Sequence, residues 1–192
     1  MARPADPDLR ARILDAAAPL FYAHGVQAVG MAQVVAAAGC GKNVLYRHFG
    51  SKDDLVAAYL ADFGRQRDEA MQATLAQVRD PGEALVALTR DLAADAADPR
   101  FQGCAVRNYL REVRRADDAP GQVATALRDA WRSLIGDLTA ELGVADPVLL
   151  ADQICLVHDG VHAATGRDPA RAGQVAVGLV VQLVEGALAG GE

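Results

Sequence analysis

Lysine occurs only twice in this chain, at 42 and 52, and both fall in one stretch, CGKNVLYRHFGSKDDL, residues 40–55. Between them lie Asn43, Tyr46, Arg47 and His48. Such groups suit a nucleic acid. Cationic side chains neutralise phosphates, a phenol hydroxyl bonds phosphate oxygens, and an asparagine amide can read an adenine edge. A second place with chemical potential is His158-Asp159-Gly160-Val161-His162. Histidines at i and i+4 share a helix face, as in a zinc-binding motif. Here an Asp replaces the Glu that such a motif uses as base, and no third ligand is identifiable. The pair therefore reads first as the lining of a ligand pocket or a subunit seam. Cys40, Cys104 and Cys155 form no C-x-x-C pattern and fit a reducing cytoplasm. Cys104 and Cys155 read as core, and Cys40 as a small buried apolar side chain, with a redox switch as the alternative.

The whole chain carries a net charge of −6 over 192 residues, which taken alone argues against a polyanionic partner. Its charge is segregated, however. Residues 16–52 contain no Asp or Glu, where average density would give about five. A neutral-to-basic surface on an acidic protein follows. The N-terminus has no apolar signal core, and the longest greasy run, Val175–Val181, is far short of the ~20 residues of a spanning helix. A soluble cytoplasmic protein without a membrane partner is expected.

Helices must position these groups, since strand-like alternation is absent. Asp6-Pro7-Asp8 is a helix start: Asp6 can cap, and Pro7 suits the first turn. Leu9, Ile13, Leu14, Ala17, Leu20 and Phe21 then form an apolar stripe that ends at Gly25. Pro19 inside this helix should kink it or shift its course. Short helices are expected at 31–38 and 42–48, and S-x-x-D at 51–54 caps a fourth reaching about Val78. Breakers then mark off helices near 82–97, 101–116, 120–142, 147–165 and 169–189. Helix, short turn, helix over 31–48 is a helix-turn-helix, whose second helix enters the major groove. Leu45 and Phe49 would anchor that helix, leaving Lys42, Asn43, Tyr46, Arg47 and His48 toward DNA. Arg47 has a structural salt bridge as its alternative. Lys52 stands at a helix start, where backbone amides also favour phosphate.

The run Ile13-Leu14-Asp15-Ala16-Ala17, with Leu20-Phe21, Gly25, Val34, Ala37-Ala38-Gly39, Lys42 and then LYRHFGSKDDL, resembles the N-terminal domain of the tetracycline-repressor (TetR) family. The resemblance covers roughly residues 7–67. It implies an all-α fold of about nine helices. A helix-turn-helix domain at 7–67 would be followed by a ligand-binding and dimerisation domain at 68–192. It implies no catalytic residue, cofactor or metal. The implied partners are a double-stranded DNA operator, a second copy of the chain, and a small-molecule effector, which Trp131, Tyr109 and Phe101 as a pocket wall would make apolar or aromatic. Carried onto this sequence, the DNA-facing positions also include Gly30, Gln33, Gly41 and Val44. Three of these depart from the family pattern: Gly30 and Gly41 stand where a Ser or Thr is usual, and Val44 replaces a Thr. Weaker backbone anchoring, or a base-methyl contact by Val44, would result.

For the effector the candidates are Phe101, Asn108, Tyr109, Trp131, His158 and His162, with simple core packing of the aromatic residues as the bland reading. Residues 174–188 are apolar around most of a helix, which therefore needs burial on several faces. Val161, Val177, Val180, Val181 and Val184 are the candidates for the dimer interface. The charged run 111–118 reads as a solvated helix end. Two other classes compete with a ligand-responsive regulator, most simply a repressor. One is a metal-dependent enzyme built on His158 and His162, and the other is a ligand-blind DNA-binding or scaffolding protein.

Overall fold

The computed structural model describes residues 7–113 and 117–190, and these form an all-α chain with no strand among the described residues. The helices are α1 (Pro7–His24), α2 (Met31–Ala38), α3 (Lys42–His48), α4 (Lys52–Leu75), α5 (Pro81–Ala96), α6 (Ala105–Glu112), α7 (Ala119–Glu141), α8 (Pro147–Ala163) and α9 (Pro169–Ala189). Asp-Pro pairs launch three of them. Asp80, Asp146 and Asp168 each accept a hydrogen bond from the amide three residues on, at 2.8, 2.9 and 2.9 Å, and Pro81, Pro147 and Pro169 open α5, α8 and α9. The carboxylate answers a free amide and the positive helix end, and proline loses nothing where no partner for its nitrogen exists. Asp6, expected to do the same for α1, lies outside the described residues. α1 runs through Pro19 without interruption, and Pro19 is exposed.

The Asp98-Pro99 pair behaves differently. Asp98-Pro99 was expected to precede a helix at 101–116, but α6 begins only at Ala105. Asp98 turns back on Arg100, accepting its amide at 2.8 Å and its guanidinium at 2.7 Å. Gly103 then takes a left-handed φ of 84°, which a continuing helix excludes.

The chain gathers into two compact units. One holds the chain up to Arg65 together with Ala105–Leu127, and the other holds Gln66–Cys104 with the chain from Arg128 onward. In the first, Ile13, Ala17 and Phe21 of α1 are buried, as are Val34, Leu45, Phe49, Leu55 and Leu60. Phe21 meets Tyr59 of α4 with ring centroids 5.5 Å apart. Each such side chain contributes about 1.5–3 kcal/mol when fully buried. Gly64 of α4 is buried against Leu127 of α7 so closely that a Cβ there would overlap the leucine side chain.

In the second unit α5, α8 and α9 pack on one another. Their core joins Leu85, Leu88, Leu150, Ile154, Val180 and Val184 with Ile135 of α7. Gly173 sets the closest approach of α9 to α5: a Cβ there would stand 2.7 Å from the Cα of Ala93. Cys104 and Cys155 are buried free thiols, and Cys40 is half-buried.

Candidate nucleic-acid interface

The local sequence explains how α3 is displayed. Gly30 has no side chain to cap the free amides of α2, and only the reciprocal half of a capping box forms: Gln33 Oε1 accepts the Gly30 amide at 2.7 Å. Gly39 closes α2 in the left-handed region, at φ 60°, with open space where a Cβ would be. Leu45 and Phe49 are buried and fix α3 by one side, as the sequence indicated. Its other side carries Lys42, Asn43, Tyr46 and Arg47, all exposed. The Lys42 ammonium stands 6.0 Å from the centre of the Tyr46 ring. Ser51 caps α4 as expected, its Oγ accepting the Asp54 amide at 3.0 Å.

The remaining candidates vary in access. Gly30, Gln33 and Gly41 are exposed, while Val44 and His48 are half-buried. Lys52 is also half-buried, and its Nζ donates to the Gln27 carbonyl at a long 3.4 Å. It therefore braces the loop between α1 and α2. Two residues escaped the sequence reading. Arg10 lies over the Phe49 ring at 4.7 Å and helps hold the end of α3. Glu112 of α6 accepts the Val26 amide at 2.9 Å and also the Gln27 amide. No local signal could have paired residues so far apart in sequence.

Glu112 corrects the reading of 111–118 as a solvated helix end, and Asp118 does so too. Residues 114–116 of that run lie outside the described ones. Asp118 Oδ1 accepts the Gly121 amide at 2.8 Å, capping α7, and the Tyr109 hydroxyl at 3.0 Å. Burial, and the hydroxyl's bond to this carboxylate, push the Tyr109 phenol well above its ordinary pKa. Tyr109 is thus a buried, committed side chain.

Of the effector candidates, Asn108 and Tyr109 belong to α6 in the first unit, and Phe101, Trp131, His158 and His162 to the second. There they form two ring pairs one helical turn apart on α8. Trp131 meets His158 at 5.5 Å, and Phe101 stacks on His162 at 6.1 Å. Arg67 covers Trp131 at 4.9 Å. Thr89 Oγ1 lies 2.7 Å from the Leu85 carbonyl and 2.9 Å from His158 Nε2. Thr89 and His158 thus share a hydrogen bond in the buried core between α5 and α8. Among the described residues no three His, Cys, Asp or Glu gather as a metal site.

Three of the five dimer candidates face inward. Val161, Val180 and Val184 are buried inside the second unit's own core, and Val177 and Val181 are half-buried beside them. Core packing against α5 and α8 claims that face of α9. Apolar residues left outside include Val175 and Leu179, one step round the helix, and Leu188 on α9, with Val148, Leu149 and Leu156 on α8.

Comparison with known proteins agrees with this architecture. Residues 13–59 match the family described as bacterial regulatory proteins, tetR family. The crystal structure of SCO4454, a TetR-family transcriptional regulator from Streptomyces coelicolor, superposes with a TM-score of 0.90 at 27% identity, over 95% of this chain and 97% of that one. The TetR-type regulator sav143 of Streptomyces avermitilis is 30% identical over 93% of this chain and 97% of its own, with a TM-score of 0.79. An HTH-type transcriptional regulator of Mycobacterium tuberculosis, MT1294, is 38% identical over 75 residues, 39% of this chain and 37% of that regulator's length. The chain belongs to the TetR family. Members of this family are DNA-binding transcriptional regulators and not enzymes, which removes the metal-dependent enzyme from consideration.

Proposed function

We propose that the protein is a ligand-responsive repressor, working in the cytoplasm as a homodimer on a palindromic operator and released by a small molecule. The exposed face of α3 carries the reading: Lys42, Asn43, Tyr46 and Arg47 project outward from a helix pinned by Leu45 and Phe49. Lys42, Arg47 and Tyr46 suit phosphates, and Asn43 and Val44 suit base edges. Gly30, Gln33, Gly41, His48 and Lys52 border that face. DNA binding is assigned to residues 7–67, and effector binding and dimerisation to 68–192.

The exposed apolar stripes of α8 and α9 supply the dimer seam. Leu149 and Leu156 are two turns apart on α8, and Val175 and Leu179 one turn apart on α9. Gly178 lies between the latter pair and allows close approach. A two-fold seam presents two identical heads, so the operator is an inverted repeat. The ring pairs Trp131–His158 and Phe101–His162 make an apolar or aromatic effector the best fit to the second unit. Such an effector works by differential affinity. If it binds the DNA-incompetent conformation more tightly, it weakens operator binding, and DNA weakens effector binding by the same factor.

The test is selection of bound fragments from the source genome by purified protein at moderate salt, followed by transcription from the recovered promoter. One palindromic sequence whose transcription falls when protein is added is the expected result. Recovery of no sequence-specific DNA would overturn the reading, and increased transcription would reverse its sign.

A further inference from the structure

The carboxylate of Glu112 is far in sequence from the helix-turn-helix yet is built into its entry loop. It accepts the amides of both Val26 and Gln27. The contact is reciprocal, since the Gln27 side-chain amide donates to the Glu112 carbonyl at 2.9 Å. Gly25, at φ 83°, leaves room for it: a Cβ at this position would stand 2.8 Å from a Glu112 carboxylate oxygen. Two adjacent amides converging on one carboxylate form an anion-holding turn, in which charge-assisted hydrogen bonds are stronger than neutral ones. Just beyond this turn the chain buries Val29 and enters α2 at Gly30. The Gln27 carbonyl is also the acceptor for Lys52.

We propose that Glu112 is a positioning residue for DNA recognition. It touches no base or phosphate. Its carboxylate sets the α1–α2 turn, and the turn sets both the entry of α2, on which α3 packs, and the place of the Lys52 ammonium. The end of α6 thereby becomes part of the DNA-binding head. Val26 and Val29 hold the loop to the core in either case, so loss of the carboxylate loosens the turn's orientation rather than unfolding it. Because hydrogen bonds to a charged group are strong, removing both is expected to weaken operator binding by about tenfold.

This inference rests on the DNA-binding reading, and the experiment separates the two. Wild type, Glu112→Ala, Glu112→Gln and Tyr46→Ala are compared on one selected operator fragment. Stoichiometric titration first gives the active fraction of each, so that the Kd refers to folded protein alone. Amide hydrogen exchange is followed at Val26 and Gln27. In Glu112→Ala the expected result is about tenfold weaker binding per active molecule, with faster exchange at both amides. Glu112→Gln, which keeps one acceptor, should fall between it and wild type. Tyr46→Ala should lose affinity with exchange at those amides unchanged. A loss under threefold in Glu112→Ala, or wild-type affinity and amide exchange in Glu112→Gln should the alanine variant not fold, overturns the inference and leaves the DNA-binding reading standing. Failure of the wild type to bind any specific fragment overturns both.

Discussion

Two exposed helix faces among the described residues have opposite chemistry. α3 shows Lys42, Asn43, Tyr46 and Arg47, polar or cationic groups on a helix of only seven residues. α8 and α9 show Leu156 at 70% exposure, Leu149 at 52% and Val175 at 50%, apolar groups on helices of 17 and 21 residues. The short face keeps its water and costs nothing to leave open. The long one exposes hydrocarbon, at roughly 25 cal/mol per Å² relative to burial. A polar face of this kind waits for an occasional partner, whereas an apolar face of this extent calls for a standing one.

That contrast can be broken from either side. The largest effect is expected from Val175→Glu combined with Leu179→Glu, which places charge in the proposed seam. Sedimentation equilibrium should show the dimer weakened by roughly 100-fold or more, with helicity unchanged, as charges buried without partners are costly. A dimer of undiminished affinity would assign the seam elsewhere. Gly173→Leu should act on the core instead. It drives a side chain into the backbone of Ala93 and should cost about 3 kcal/mol, read by thermal unfolding.

On the polar face, Tyr46→Ala and Lys42→Ala should each weaken operator binding by about tenfold, near 1.4 kcal/mol, and leave the dimer intact. Affinity unchanged in both would remove this face from the DNA contact. Salt sharpens the comparison further. For about six to eight phosphates contacted, log K for DNA should fall against log salt with a slope of roughly −5 to −7, while dimerisation through an apolar seam should respond little.

The smallest effect concerns neither face. Asp98 is held at about 2 by its hydrogen bonds to the Arg100 side chain and amide. A lowered carboxylate pKa stabilises the fold above the ordinary value of 3.8, and that contribution is lost as pH falls through about 2. Arg100→Ala should bring the Asp98 titration back toward 3.8, observable by NMR, with almost no change in stability at neutral pH because the pair lies at the surface, where solvent screens it.

The sequence by itself determined every element whose signal is local. Asp-Pro pairs, Gly39 and Ser51 mark helix ends through groups within three residues of them, and α2, α3 and α9 lie where their patterns place them. The sidedness of α3 was equally legible, because Leu45 and Phe49 at i, i+4 fix which face is left outside. Asp98-Pro99 shows the limit even there, since Arg100 took the carboxylate that a helix would have used. Tertiary structure alone decided the rest. A helix apolar on several sides does not announce which side meets its own core, so Val180 and Val184 went inward and Val175 and Leu179 outward. Glu112 looked like surface charge until folding brought the Val26 and Gln27 amides to it. Local patterns record what a residue needs from its neighbours in sequence. Packing of distant elements decides which of several equivalent faces, and which of many carboxylates, a partner actually reaches.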